Sequence, residues 1–259
     1  MASQLDFAGG TFVEGLVGGV DDTFAVADAA LESPPSSRRA VIAFVGLAFE
    51  ARIAAGPGVL VVCRTAGSEL AKVADSAVRQ GYRGMISFGV AGGLASHLRA
   101  GDWVVASVVQ DAQNARPTDA AWSRKLLGKI PGAVHAPILG ADIAIADPSE
   151  KRELYKTTGA AVVDMESHIV ARVAAAHKLA FAAARVVVDP AHRTVPPAAL
   201  IGMRPDGRAN IWAVMRDLLL RPSQLSPMAR IAADAFTARA AMNKVRRRLG
   251  PHFALMDHA

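Results

Sequence analysis

The chain has 259 residues, 52% of them hydrophobic and only 5% aromatic, which is enough for one large α/β domain with a core of Ala, Val, Leu and Ile. No run of 18 or more uncharged apolar residues occurs, and no basic stretch leads into an apolar one at the N-terminus, so neither a spanning helix nor a secretory signal is expected. The net charge of +6 arises after residue 200, where ten basic residues face four acidic ones; the basicity belongs to the tail, not to the α/β core.

Residues 1–38 combine Gly pairs, Asp21-Asp22 and the turn-rich Ser33 to Ser37 without a clear period, and are expected to form a poorly ordered extension or a loosely docked arm. The core domain, 39–204, opens with the strand AVIAFVG at Ala40 to Gly46, followed by LAFEARI. A second strand is predicted over Gly58 to Arg64 and includes Cys63, the single cysteine. That count excludes an internal disulfide framework and fits a reducing cytoplasm. Leu70, Val73, Ala74 and Ala77 share one face of a predicted helix over Ser68 to Gln80.

A third strand, Gly84 to Phe88, runs into GVAGGL at Gly89 to Leu94, read as a tight turn whose glycines let a ligand approach the backbone. Further strands are predicted over Asp102 to Val109 and Val134 to Leu139. Helices are predicted over Ala120 to Gly128 and Pro148 to Thr157, the latter capped by Asp147 with Pro at its first position. Val162 and Val163 then close an apolar strand, Asp164 and Glu166 open a helix, and the continuous run Phe181 to Val188 stops on Asp189-Pro190. Such a run suits a parallel strand covered on both faces. Strands alternating with helices argue for an α/β fold, expected as one three-layer domain around a mixed, mostly parallel twisted sheet with helices added at the C-terminus.

Glu50, Glu166 and Asp189 each follow an apolar strand closely. Taken singly, each reads more readily as a solvated loop acid, a dipole-favoured first-turn acid or a turn cap. In open α/β sheets, however, ligands bind at the carboxyl ends of strands, and all three acids are expected at that edge. No G-x-G-x-x-G, Walker loop, metal-ligand spacing among the seven histidines or G-x-S-x-G is present, so no cofactor and no metal site is expected.

Four ordered segments, VGLAFEA, ISFGVAGGLASHLRAGDWVV, VVDMESHIVA and RVVVDPA, resemble the purine nucleoside phosphorylase and methylthioadenosine/S-adenosylhomocysteine nucleosidase superfamily over roughly Val41 to Ala199. FEARIAAGPGV, DPAHRTVPPAAL and MRPDG are most similar to its hopanoid-associated phosphorylase branch, implicated in removing adenine from adenosylhopane. The resemblance implies cleavage of an N-ribosyl bond. Asp189 would hydrogen-bond or protonate the purine at N7, Glu166 would bind ribose hydroxyls, Met165 would pack on the ribose, and Glu50 would activate water. Gly89, Val90, Ala91 and Gly92 would floor the pocket, with Asp164 and Val188 beside it. Two positions depart from the pattern: Val188 replaces the usual serine before the aspartate, and Val90 replaces a polar residue in the glycine element. Arg52, Arg64 and Ser68 are the nearest phosphate-binding candidates, and none matches the phosphorylase pattern cleanly. Water is therefore favoured as nucleophile, with phosphorolysis and non-catalytic nucleoside or lipid binding as the alternatives.

In the basic segment 205–259, one helical face is read from Ile211, Val214, Met215 and Leu218. A second helix opens at Ser226-Pro227, with Met228, Ile231, Ala235, Ala238, Met242, Val245 and Leu249 on its apolar side. Arg230, Arg239 and Arg246 to Arg248 lie opposite. This helix reads as a solvated packing helix, an interfacial membrane helix or a nucleic-acid contact, the last disfavoured because Phe236 and Phe253 stand isolated. With a lipid-tailed adenine nucleoside as partner, Trp212, Met215, Leu218 to Leu220 and Leu225 would frame an apolar groove. The expected location is the cytoplasm, with peripheral contact at the inner membrane face, and the resemblance implies a homo-oligomer.

Overall fold

The computed structural model describes residues 11–13, 41–63, 67–195 and 225–255. Nine strands form one mixed sheet there: β1 (Thr11–Val13), β2 (Val41–Val45), β3 (Val59–Cys63), β4 (Gly84–Gly93), β5 (Trp103–Gln110), β6 (Ala115–Pro117), β7 (Val134–Gly140), β8 (Val162–Asp164) and β9 (Ala180–Asp189). Six helices accompany them: α1 (Ala48–Ala54), α2 (Gly67–Arg79), α3 (Ala120–Lys129), α4 (Pro148–Thr158), α5 (Ser167–Ala176) and α6 (Leu225–Leu249).

Strands β1, β3, β2, β4 and β9 run parallel to their neighbours. Beyond them the sheet curls on itself, because β9 also pairs antiparallel with β5, β5 pairs parallel with β7, β7 parallel with β8, and β8 antiparallel with β4. Five strands thus close a ring, and the ends of β4, β8 and β9 meet on one rim of it, where Gly92 pairs with both Val163 and Asp189. The predicted parallel strand at Phe181 to Val188 is parallel to β4 and antiparallel to β5; residues Phe181 to Val187 are all buried. Its unbroken apolar run follows from being covered on both faces.

Two apolar layers sandwich the sheet. One gathers Ile42, Phe44, Leu60 and Met85 with α2 and α5. The other joins Val41, Val61, Ile86, Phe88 and Trp122 to the C-terminal helix through Ala238, Met242, Val245 and Leu249. These four residues belong to the predicted apolar side of α6, so the helix packs on the domain through the face its periodicity marks. The opposite side is less uniform than expected. Arg247 and Arg248 are exposed, whereas Arg246 turns inward, donating to the carbonyls of Ala54 (2.9 Å) and Gly250 (2.6 Å) and lying 4.4 Å from the Phe253 ring centroid. Nor is Phe253 isolated. It is fully buried edge-on to Phe88 at 5.0 Å, and its carbonyl accepts from Trp122 Nε1 at 2.7 Å.

The glycine element is also not a turn. β4 continues through Gly93, and none of Gly89, Gly92 and Gly93 has a positive φ. These glycines are required for lack of a side chain, since a Cβ at Gly89 would stand 2.6 Å from Glu50 Oε1 and 2.7 Å from Arg185 Nη1. Ile211, Trp212, Val214, Met215 and Leu218 to Leu220 lie outside the described residues, as does the 1–38 extension apart from Thr11–Val13, which pairs with β3. The side chain of Leu225 is likewise outside them.

Candidate active site

The three acids reach the rim by different routes. Glu50 sits in the first turn of α1, and its Oε2 accepts from the backbone N–H groups of Gly46 and Leu47, both at 2.8 Å. Leu47 is the N-cap of α1 and its N–H is an orphan donor of the helix start, which a carboxylate three residues on satisfies, while Gly46 lies one residue before the cap. Its Oε1 accepts from Val90 N–H of β4 at 2.7 Å. The side chain is 1% exposed, and burial raises its pKa to about 7; Arg185 and the N–H groups of Val90 and Leu47 oppose the rise, while Glu166 adds to it. A buried carboxyl that titrates near neutrality can act as a base.

Glu166 is the N-terminal boundary residue of α5, two residues beyond the end of the short strand β8. Asp164 ends that strand and shapes the turn: Oδ1 accepts from the N–H groups of Glu166 (3.1 Å) and Ser167 (2.9 Å), and Oδ2 meets the Ser167 hydroxyl and Arg185 Nε, the latter at 2.7 Å. Arg185, in the middle of β9 and fully buried, links the cluster. It also lies 3.3 Å from Glu166 Oε2 and donates to Ser87 Oγ at 2.5 Å. Burial alone would lower its pKa, but Asp164, Glu166 and Glu50 together carry it above the ordinary value, so the guanidinium stays charged under the acids.

Asp189 ends β9 in different surroundings. Its Oδ2 is 2.5 Å from the ammonium of Lys151, a residue of α4 with no exposed surface. The same ammonium donates to the carbonyl of Arg193 at 3.2 Å, with the Pro190 carbonyl at 3.5 Å. Burial pushes the Asp189 pKa up, Lys151 pulls it down, and the net direction is upward.

One cavity of about 300 Å³ collects these groups. Glu50, Asp164, Glu166 and Asp189 face it, Val90, Ala91 and Gly92 floor it, and Met165 and Val188 flank it. Gly89 is not among its walls; it lies beneath, against Glu50 and Arg185. Phe49, Ile143, Ile145, Val195, Ile231 and Ala235 make the remaining wall apolar, two of them contributed by α6. Of the phosphate candidates, Arg52 and Ser68 are exposed on helices away from the cavity walls, and Arg64 lies outside the described residues. The valine at position 90 carries no penalty for Glu50, because what it supplies is its backbone N–H.

Arg185, Lys151, Ser87 and Ser167, which hold the acids from behind, are not among the residues expected from the sequence. Arg185 had a signal, since one charge inside a continuous apolar strand has to be paired where it is buried. Lys151 had none, being one cation among several charged residues of a polar helix.

Residues 15–201 match the Phosphorylase superfamily. No curated protein sequence matches the chain. The 5′-methylthioadenosine/S-adenosylhomocysteine nucleosidase of Campylobacter jejuni has the same fold, with a TM-score of 0.58 at 14% identity, covering 83% of this chain and 99% of its own. The Neisseria meningitidis nucleosidase in complex with methylthio-immucillin-A gives 0.59 at 14% identity, covering 83% and 100%. The futalosine hydrolase of Helicobacter pylori gives 0.56 at 14% identity, covering 79% and 96%. Identity this low speaks for fold alone, but the superfamily match runs from before β2 to beyond β9 and takes in every acid at the rim. The chain belongs to the phosphorylase superfamily.

Proposed function

We propose that this protein cleaves the N-ribosyl bond of an adenine nucleoside carrying a bulky apolar 5′ substituent, with water as nucleophile, and that adenosylhopane is such a substrate, yielding adenine and ribosylhopane. The observation that carries the reading is the gathering of Glu50, Glu166 and Asp189 around one cavity. Bond breaking leaves positive charge on the sugar and negative charge on the purine. Asp189 donates a proton to N7 of the departing base, and Glu166 binds the ribose hydroxyls and offsets the developing cation. Glu50 takes a proton from the attacking water, and Met165 packs against the sugar.

Water is favoured over phosphate by charge. Among the described residues the cavity walls hold four carboxyl side chains and no Lys or Arg, and an anion without paired cations is costly to bury. The apolar wall of Phe49, Ile143, Ile145, Val195 and Ile231 supports an apolar 5′ chain that leaves the cavity past α6. On that helix Phe236 is 76% exposed, with Arg230 and Arg239 also exposed, a composition suited to peripheral contact with an anionic membrane holding the lipid substrate.

The test is incubation of purified protein with adenosylhopane, with and without phosphate, following adenine by chromatography and the sugar product by mass. Release of adenine with unphosphorylated ribosylhopane in both conditions is expected. A phosphorylated product formed only with phosphate would replace hydrolysis by phosphorolysis. No adenine in either condition would overturn the enzymatic reading.

A further inference from the structure

α4 is a polar helix with a single buried residue, Lys151. Burying an ammonium costs several kcal/mol before its partners offset it, and a buried ion pair seldom stabilises a fold more than apolar packing would. The pair is therefore better explained by what it does to Asp189. Lys151 contacts Oδ2; both oxygens lie close to Gly92 of the cavity floor, Oδ1 at 3.2 Å and Oδ2 at 3.4 Å from where a Cβ would stand, so Oδ1 is the oxygen at the floor that the ammonium does not hold. The ammonium is itself fixed from outside the pair, by the Arg193 and Pro190 carbonyls.

We propose that Lys151 is a positioning residue for the reaction: by holding Oδ2 it presents the Oδ1 proton of Asp189 to the leaving purine and stabilises the carboxylate formed when that proton departs. This rests on the reading of Asp189 as the acid. As the bond between C1′ and N9 breaks, its electron pair passes to the purine and N7 takes the proton from Oδ1. Asp189 becomes a carboxylate against the ammonium, which keeps its own three protons. Water adds to C1′ and gives a proton to Glu50, and the two carboxyls return to their starting states by exchange with solvent. An ammonium at Oδ2 strengthens the acid at the moment of transfer, so its help is larger in the transition state than before it.

The other charges near Asp189 do not duplicate this. Asp234 of α6 acts in the opposite sense and is paired with Arg193 at 3.1 Å, while Glu50, Asp164, Glu166 and Arg185 form the separate cluster described above. With Lys151 removed, the largest pull that opposes burial is lost, leaving only the backbone N–H of Asp189 on that side, and Asp189 holds its proton to higher pH.

The experiment compares wild type with Lys151→Gln, Lys151→Met and Lys151→Arg. It reads kcat and KM for adenine release from adenosylhopane across pH, and the Asp189 carboxyl directly by infrared difference against Asp189→Asn. For Gln and Met, kcat falls about tenfold or more with KM little changed, a part of what a positioned acid supplies. The alkaline limb of kcat and the infrared titration of Asp189 both move up by about one pH unit or more in these variants. Arg, which retains the charge, keeps the limb near its wild-type position. A reduced kcat with limb and titration unmoved in Gln and Met would show a merely structural lysine and overturn the proposal. If these variants do not fold, a wild-type alkaline limb that fails to coincide with the infrared titration of Asp189 overturns it. Wild type that releases no adenine from any adenine nucleoside would instead defeat the functional reading itself.

Discussion

The two ends of the cavity bury carboxyl groups in contrasting ways. At one end Glu50 is held by three backbone N–H groups and shares the Arg185 guanidinium with Asp164 and Glu166. At the other, Asp189 faces a single ammonium from a helix that otherwise avoids the core. Burial raises the pKa in both cases, but the compensation differs in kind. Main-chain donors cannot be mutated away and set the position of Glu50 firmly. One cation spread over several acids keeps the cluster together while leaving Glu50 able to change charge near neutrality. A one-to-one pair tunes a single acid. A base and an acid can thus share a small cavity because each titrates in its own surroundings.

The largest test of this contrast is Asp189→Asn, which should lower adenine release by about 10² to 10⁴-fold, the range that a positioned acid supplies, with far-ultraviolet circular dichroism unchanged. A smaller loss would mean that the two ends are not a base and an acid. Arg185→Met acts on the other end and on folding. It strands buried acids beneath the sheet and should cost roughly 3–5 kcal/mol in urea unfolding. A cost under about 1 kcal/mol would show that main-chain donors alone hold the cluster.

Glu50→Gln sharpens the comparison through pH. The folded pKa of about 7 lies above the ordinary value of 4.5, so the folded protein holds this proton more tightly than the unfolded chain does. Both states are protonated below that lower value, and wild type loses stability relative to Glu50→Gln as pH rises from there through 7, by roughly 3 kcal/mol in full. Unfolding of both proteins at pH 5 and pH 8 measures it; a difference constant with pH would place the Glu50 titration elsewhere. The smallest effect is expected at the uncharged wall. Ile231→Ala should raise KM about fivefold for a nucleoside with a long apolar 5′ chain and leave one with a short chain nearly unchanged, as expected for about 1 kcal/mol of lost apolar contact. Equal effects on both would mean that the chain does not pass α6.

Most of the framework was legible in the residues. The apolar runs and helical spacings place β2, β3, β5, β7, β9, α2, α3 and α4 within one or two residues and find the starts of α5 and α6, whereas LAFEARI is not read as the helix α1. The Asp147 cap of α4 forms as its sequence indicates, accepting from Ser149 and Glu150. Glu50, Glu166 and Asp189 stood out as candidates because each follows a strand at the edge where α/β sheets bind ligands, and all three border the cavity. Composition misled at the glycine element. Gly89 to Gly93 read as a turn, but in β4 the missing side chains make room for Glu50, Arg185 and Asp189. Arg246 misled in the same way, because a helical wheel cannot show that Phe253 and the end of α1 wait beneath it.

What the chain determines locally is where it extends, where it coils and which acids stand at strand ends, since these follow from side-chain periodicity and nearest-neighbour backbone chemistry. Only the folded arrangement decides that Lys151 meets Asp189, 38 residues away, and that Val90 supplies an N–H to Glu50, 40 residues away. Pairing of β2 with β4 brings Glu50 to Val90, and the packing of α4 against the end of β9 brings Lys151 to Asp189; burial then sets the charge each acid carries. Desolvation and pairing are properties of the surroundings, and no residue bears them in its own sequence neighbourhood.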